Sequence, residues 1–169
     1  MVSVPYKKSA MIERDYIMRL ISILTQVLSR VLLHRKSYLY PLARRELEGT
    51  YTSMFGMTGE LLSRFSDEQL AGMFGSDDET VATKCYVLGV LMKEEGEIRQ
   101  LEGDENNSGR LLLRALGLLL TSFLMMKRDI EPDHGQQIEA LCAGLPSSGI
   151  SAGVQEKLRS YHELRQVKT

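Results

Sequence analysis

The residues with the most chemical potential lie in one short acidic run, Asp104-Glu105-Asn106-Asn107-Ser108-Gly109. Oxygen-bearing side chains fall at relative positions one, three and five, with glycine at six. That is the front half of a calcium-binding loop of the helix–loop–helix type. Such a loop closes with a bidentate Glu at position twelve, and here that position is Ala115. The coordination shell is therefore short, and the same residues are those of a turn that caps a helix. Whether the Asp104–Gly109 run holds a cation is left open at this level. Glu94, Glu95, Glu97, Glu102, Asp104 and Glu105 form a wider acidic cluster. It suits a solvated helix face, or a contact for a cation or basic peptide. Paired-carboxylate catalysis needs a shaped, shielded pocket, which this polar segment does not suggest.

The other reactive types are dispersed. His34, His134 and His162 have no second His or Cys three or four residues away, so no helix presents a local metal site. Cys85 and Cys142 form no C-x-x-C pair, and their apolar settings read as free buried thiols. There is no nucleophile elbow, phosphate-binding loop or dinucleotide fingerprint. Gly56-Met57-Thr58-Gly59 is a turn. We therefore assign no catalytic, cofactor-binding or metal residue and expect no enzyme. An enzyme would have to gather groups such as Glu94, Glu97, His134 or His162 in one cavity.

The elements that would carry these residues are helical. Aromatics make up 7%, Trp is absent, and Leu and Met dominate, so strands have little to build from. Residues 1–10 read as an arm and 11–169 as a single helical domain. A first helix is expected over Met11–Leu33, with Tyr16, Leu20, Leu24, Val27 and Val31 in a wide apolar stripe. Pro41 opens a second helix that Gly56 ends. A short helix follows over Thr58–Phe65. Ser66-Asp67-Glu68-Gln69 and Ser76-Asp77-Asp78-Glu79 read as capping boxes, the second opening a helix to about Leu101. Gly103 stops it, and Asn107 or Ser108 caps the apolar helix Leu111–Met126. That helix carries a polar seam: Arg110, Arg114, Gly117, Thr121 and Arg128 recur at helical spacing. With Arg114 inside it, the stretch is shorter than the roughly 20 residues of a membrane span, so we expect a buried helix with one wet edge. Pro132 opens a further helix, and a final amphipathic one carries Val154, Leu158, Tyr161 and Leu164.

Short glycine turns between helices suggest hairpins. Met92, Gly96, Gly103, Ser108, Leu112 and Ala115 fit one degenerate tetratricopeptide-like unit at about 89–126, where small residues let paired helices approach. Glu95 and Arg99 depart from the repeat pattern, and its terminal Pro is lacking. Longer strings carry a broader similarity: Glu13-Arg14-Asp15-Tyr16-Ile17-Met18-Arg19-Leu20-Ile21, Lys93-Glu94-Glu95-Gly96-Glu97-Ile98, Leu101-Glu102-Gly103-Asp104-Glu105 and Arg114-Ala115-Leu116-Gly117-Leu118. Through them the chain, from residue 11 to about 126, resembles an uncharacterised bacterial family of tetratricopeptide-like helical proteins. The resemblance implies an all-α, right-handed α-α superhelix of helical hairpins. It implies no catalytic residues.

Composition narrows the partners. Lys+Arg count 21 and Asp+Glu 22, for a net charge of -1 over 169 residues. The basic pairs Lys7/Lys8, Arg35/Lys36, Arg44/Arg45 and Lys127/Arg128 are scattered and lack interleaved aromatics, so nucleic acid is not the expected partner. No secretory h-region precedes Glu13, Arg14 and Asp15, and the protein is read as cytoplasmic, without a membrane partner. The expected role is a non-catalytic protein-interaction module of unknown partner, needing no cofactor. Met54, Met57, Met73 and Met92 are candidates for an adaptable apolar surface, or for ordinary core filling. A homodimer is the alternative, covering surplus apolar surface of Met11–Leu33 or Leu111–Met126.

Overall fold

In a computed structural model, residues 4–168 are described, and among them every regular element is helical. The order is α1 (Val4–Lys36), α2 (Tyr40–Phe55), α3 (Gly59–Ser63), α4 (Asp67–Met73), α5 (Asp78–Leu101), α6 (Glu105–Met126), α7 (His134–Gly144) and α8 (Ala152–Val167), with a 3₁₀ turn at Ser147–Gly149 before α8. The all-α expectation holds.

Helix α5 is the axle. From Val81 to Met92 every residue except Lys84 is buried, so no solvent face interrupts the run. A helix that is apolar all round must be surrounded, and α1, α2, α4 and α6 all pack against it. Helix α6 runs antiparallel to α5. Gly89 and Gly96 set the distance between them. A Cβ at Gly96 would lie 2.8 Å from Leu112 Cδ2, and one at Gly89 would lie 3.0 Å from Leu119 Cγ and 3.3 Å from the Ala115 carbonyl. Those spacings are below ordinary van der Waals contact, so the approach exists because both positions lack a side chain. Ser122 Oγ donates to the Ala82 carbonyl at 2.7 Å and locks the register at the other end.

Helix α2 folds back on α1, and Arg30 meets Glu46 across them at 3.0 Å. Gly56, at φ 70, ends α2 as expected. On the far side of α6, α7 and α8 add a smaller layer. The core there is Leu116, Leu118, Leu119, Leu120 and Phe123 with Ile138, Leu141 and Tyr161. Neither α7 nor α8 packs on α1 or α2 to any extent.

Several boundaries differ from expectation for local reasons. Helix α1 is already helical at Val4, so the expected arm over 1–10 is helix from that residue; positions 1–3 lie outside the described residues. The Ser66 capping box forms in full, with Ser66 Oγ accepting from the Gln69 amide and Gln69 Oε1 accepting from the Ser66 amide. The Ser76 box does not. Asp77 is the cap, and its carboxylate accepts from the Thr80 amide at 2.9 Å. Helix α6 is capped by Asp104 rather than Asn107 or Ser108. In both cases a charged oxygen stood close by: Asp77 one residue after Ser76, and Asp104 three and four residues before Asn107 and Ser108. An ionised acceptor makes the stronger bond to a helix N-terminus and also meets its dipole.

Two stretches, Ala10–Lys36 and Glu105–Met126, are long and apolar enough by composition to cross a bilayer. Helix α6 has no exposed residue from Leu111 to Met126 and covers that surface within the chain. Helix α1 is different: from Ala10 to Arg19 only Ile17 is not exposed.

Candidate functional site

An open groove of about 920 Å³ lies beside the α5/α6 hairpin. Helices α2 and α3 form one wall, with Glu48, Thr58 and Glu60. The start of α4 and the start of α8 form the other, with Asp67, Glu68, Ser151, Val154 and Lys157. The floor belongs to α5 and α6: Glu95, Arg99, Arg110, Leu111, Leu113 and Arg114.

Each charged group on that floor is placed by the helix repeat. Arg110, Arg114, Gly117 and Thr121 are spaced three or four residues apart and share one face of α6. This is the polar seam expected from the sequence, and it runs along the groove and under α4 and α8. At its centre is Asp67, whose side chain is only 9% exposed. Arg114 Nη1 stands 3.0 Å from Asp67 Oδ1, an ion pair without hydrogen-bond alignment. Lys157 Nζ donates to Asp67 Oδ2 at 3.3 Å, to Glu68 Oε1 at 3.1 Å and to Thr121 Oγ1 at 3.0 Å. Arg114 Nη2 donates to the Phe65 carbonyl. Three helices, α4, α6 and α8, thus meet on one carboxylate. A buried carboxylate persists only with such company. Gly117 makes the room, since a Cβ there would sit well inside contact distance of Asp67 Oδ2 and 3.3 Å from its Cγ.

The other end of the groove is held by Tyr51, fully buried, whose hydroxyl donates to Glu95 Oε2 at 2.8 Å. Burial, and then Glu95, push the Tyr51 hydroxyl well above its ordinary pKa, so it stays a donor. Arg99 completes this end, 3.5 Å from Glu95 and 3.6 Å from Asp104. Glu95 and Arg99, which break the repeat pattern, are therefore the two α5 residues that line the groove. Arg110 is exposed in the groove and carries no ion pair among the described residues.

The residues singled out as potential chemistry do not converge. Glu94 and Glu97 face α1, where Arg35 Nη1 meets Glu97 at 2.7 Å and Glu94 at 3.4 Å. Burial and then the Glu97 charge raise the pKa of Glu94. Burial opposes Glu97 as well, but Lys93 and Arg35 outweigh it and lower its pKa. His134 lies on the opposite side of α6, fully buried. Its Nε2 is 2.8 Å from the Leu119 carbonyl and its Nδ1 accepts from the Ile130 amide at 3.0 Å, which fixes the neutral Nε2–H form. Burial lowers its pKa. His162 is exposed, 3.8 Å from Glu139. His34 lies between α1 and α2.

Helix α6 already begins at Glu105, so residues 105–109 follow a helical path, while Asp104 is occupied as its cap with Asn107 Nδ2 at 2.7 Å. Among the described residues no three His, Cys, Asp or Glu side chains are grouped as metal ligands. Cys85 is buried, and burial with Asp67 nearby pushes its thiol up to about 12; the Cys142 thiol is half-buried and raised by the same cause. The methionines do not share a surface: Met92 is fully buried and Met73 is exposed. Sequence reasoning missed Asp67 and Lys157. Their signal was weak, a second acidic residue inside a capping box and one Lys in a charged amphipathic helix.

No protein-family model, curated protein or solved structure matches the chain.

Proposed function

We propose that this is a non-catalytic helical-hairpin protein that binds a segment of a protein partner in the groove beside α5 and α6. The observation that carries the reading is the make-up of that groove. Glu48 and Glu60 are exposed toward α2 and α3 and Arg110 is exposed on α6, while Glu95 is engaged by Tyr51 and Arg99, and Arg114 and Lys157 by Asp67 and Glu68; Leu111, Leu113 and Val154 supply apolar surface. A peptide with apolar side chains between an acidic and a basic end meets all three. The enzyme alternative draws no support from Glu94, Glu97, His134 and His162: the two glutamates face Arg35 of α1, His134 is buried beyond α6 and His162 is exposed on α8. The α5/α6 pair, closed by Gly89, Gly96 and Ala115 and turned at Gly103, supports the tetratricopeptide-like hairpin reading. In that reading α1/α2 and α5/α6 are successive units of a right-handed superhelix. Cytoplasmic residence belongs to the same proposal.

A photo-activatable cross-linking residue placed at Glu60, and a control at Gln26 on the outer face of α1, test it. The expected result is a partner captured from position 60 and not from 26, and lost when Arg110→Glu is added. Equal capture at both positions, or indifference to Arg110→Glu, overturns the groove.

A further inference from the structure

The turn between α1 and α2 presents an apolar surface that the fold does not cover. Leu33 is 65% exposed and Tyr38 78%, and Leu32, Leu39 and Leu42 are exposed beside them. The turn itself is closed by backbone bonds, Tyr38 N–H to the Arg35 carbonyl at 3.1 Å and Leu39 N–H to the His34 carbonyl at 2.8 Å. It holds Tyr38 at φ 59, a left-handed conformation that costs a bulky residue and that glycine would adopt freely. The tip thus keeps an aromatic ring outward in an unfavourable backbone state. Leu101, also exposed, lies at the same end of the molecule, because Arg44 of α2 meets Glu102 of α5 there at 2.7 Å. Together these six residues expose on the order of 600 Å² of surface, most of it apolar. That is the upper end of what a monomer tolerates and approaches the ~800 Å² per partner of a standard interface.

Charge says what covers it. No acidic residue occurs between Arg30 and Glu46. Arg35 and Arg44 are engaged by Glu94, Glu97 and Glu102, whereas Lys36 and Arg45 are exposed and carry no ion pair among the described residues. At the same end, the α5/α6 turn carries Glu105, exposed and also without one. The α1–α2 tip therefore offers exposed cations and apolar side chains, and the α5/α6 turn at the same end offers an exposed anion. We infer that the α1–α2 tip is a self-complementary interface: a second copy docks end to end about a two-fold axis, with Tyr38, Leu39 and Leu33 at the centre. Lys36 and Arg45 of each copy face the acidic α5/α6 turn of the other. The rotation places every such pair twice and closes the assembly at a dimer. This proposal does not rest on the groove. It places the contact at the end of α1, leaving α6 within the subunit.

Sedimentation velocity of the full chain from 1 to 100 μM tests it. The expected result is a monomer–dimer equilibrium. Tyr38→Asp should abolish it, and Arg45→Glu and Glu105→Lys should each weaken it by about tenfold or more. The double reversal Arg45→Glu/Glu105→Lys should recover association. Circular dichroism and urea midpoints of the variants show that they fold. A wild-type monomer at 100 μM, a dimer indifferent to Tyr38→Asp, or no recovery in the double reversal overturns the arrangement. So does a monomer that co-sediments with phosphatidylserine vesicles through Tyr38, which assigns the tip to a bilayer.

Discussion

Replacing Gly117 by alanine separates two opposing effects that can each be sized from the structure. In a helix interior, alanine is favoured over glycine by ~0.5–1 kcal/mol, because glycine loses more backbone freedom on folding. Gly109 is the control. It lies in the same helix, and a Cβ there meets nothing within 4 Å, so Gly109→Ala should stabilise the protein by that amount. At Gly117 the added methyl meets Asp67 Oδ2, and the carboxylate has to retreat by about 1 Å to reach ordinary contact. The Arg114 and Lys157 contacts, now 3.0 and 3.3 Å, then open toward 4 Å or beyond. Full loss of one partner from a buried pair costs ~3–5 kcal/mol. A partial opening should cost about 2–4 kcal/mol, and the helix gain offsets part of it. We expect Gly117→Ala to destabilise by about 1–3 kcal/mol while Gly109→Ala stabilises. Equilibrium urea unfolding reads both as midpoint shifts of opposite sign. In an Asp67→Ala background the penalty at Gly117 should largely vanish, leaving a coupling of more than about 1 kcal/mol. If Gly117→Ala proves as stable as Gly109→Ala, the Asp67 anchor is not what holds α4 and α8 to α6.

Three further outcomes follow from single sites. His134 is held neutral in the fold, and its unfolded value is the ordinary 6.5. The unfolded chain therefore binds a proton that the folded chain refuses, so stability present above that pH should decline as pH falls below it. The urea midpoint should drop between pH 7.5 and 5.5, and less so in His134→Gln; equal slopes would refute the assignment. Arg165 forks onto Asp129 and stacks 4.8 Å from the Phe123 ring and 5.2 Å from Tyr161. Arg165→Ala should cost ~1–3 kcal/mol, against under ~0.5 for Arg159→Ala on the exposed side of α8, and equal midpoints for the two would refute the distinction. With its thiol pushed up to about 12, Cys85 should resist iodoacetamide at pH 8 in the folded protein, whereas Cys142 should react first. Mass spectrometry of the alkylated peptides distinguishes them, and equal labelling refutes the burial argument.

The elements were legible where side-chain periodicity and terminators agreed. Pro41 and Gly56 bracket α2, Gly103 turns α5 into α6, and the Arg110–Thr121 seam was visible as a wet edge. The caps of α5 and α6 were not, because three candidate oxygens stood in a row at 76–78 and five at 104–108. Their choice depends on charge and on where the preceding turn delivers the chain. The groove could not be read at all from spacing. Asp67 and Lys157 are 90 residues apart, and only packing of α4 and α8 on α6 unites them. The absence of covering at Tyr38 was equally hidden, since the Tyr38-Leu39-Tyr40 stretch looks the same in a core as at an exposed tip.

The unequal surroundings of α1 and α5 have a consequence for motion. Lys84 of α5 stands over the Tyr16 ring at 5.5 Å, and past Ile21 toward the N-terminus α1 has only Leu20 buried and Ile17 half-buried among residues 10–20. Its amides from Ala10 to Arg19 can open without disturbing anything else, so deuterium should enter them within seconds to minutes. Those of α5 between Val81 and Met92 open only when the helices around them separate, and should exchange at the rate of global unfolding.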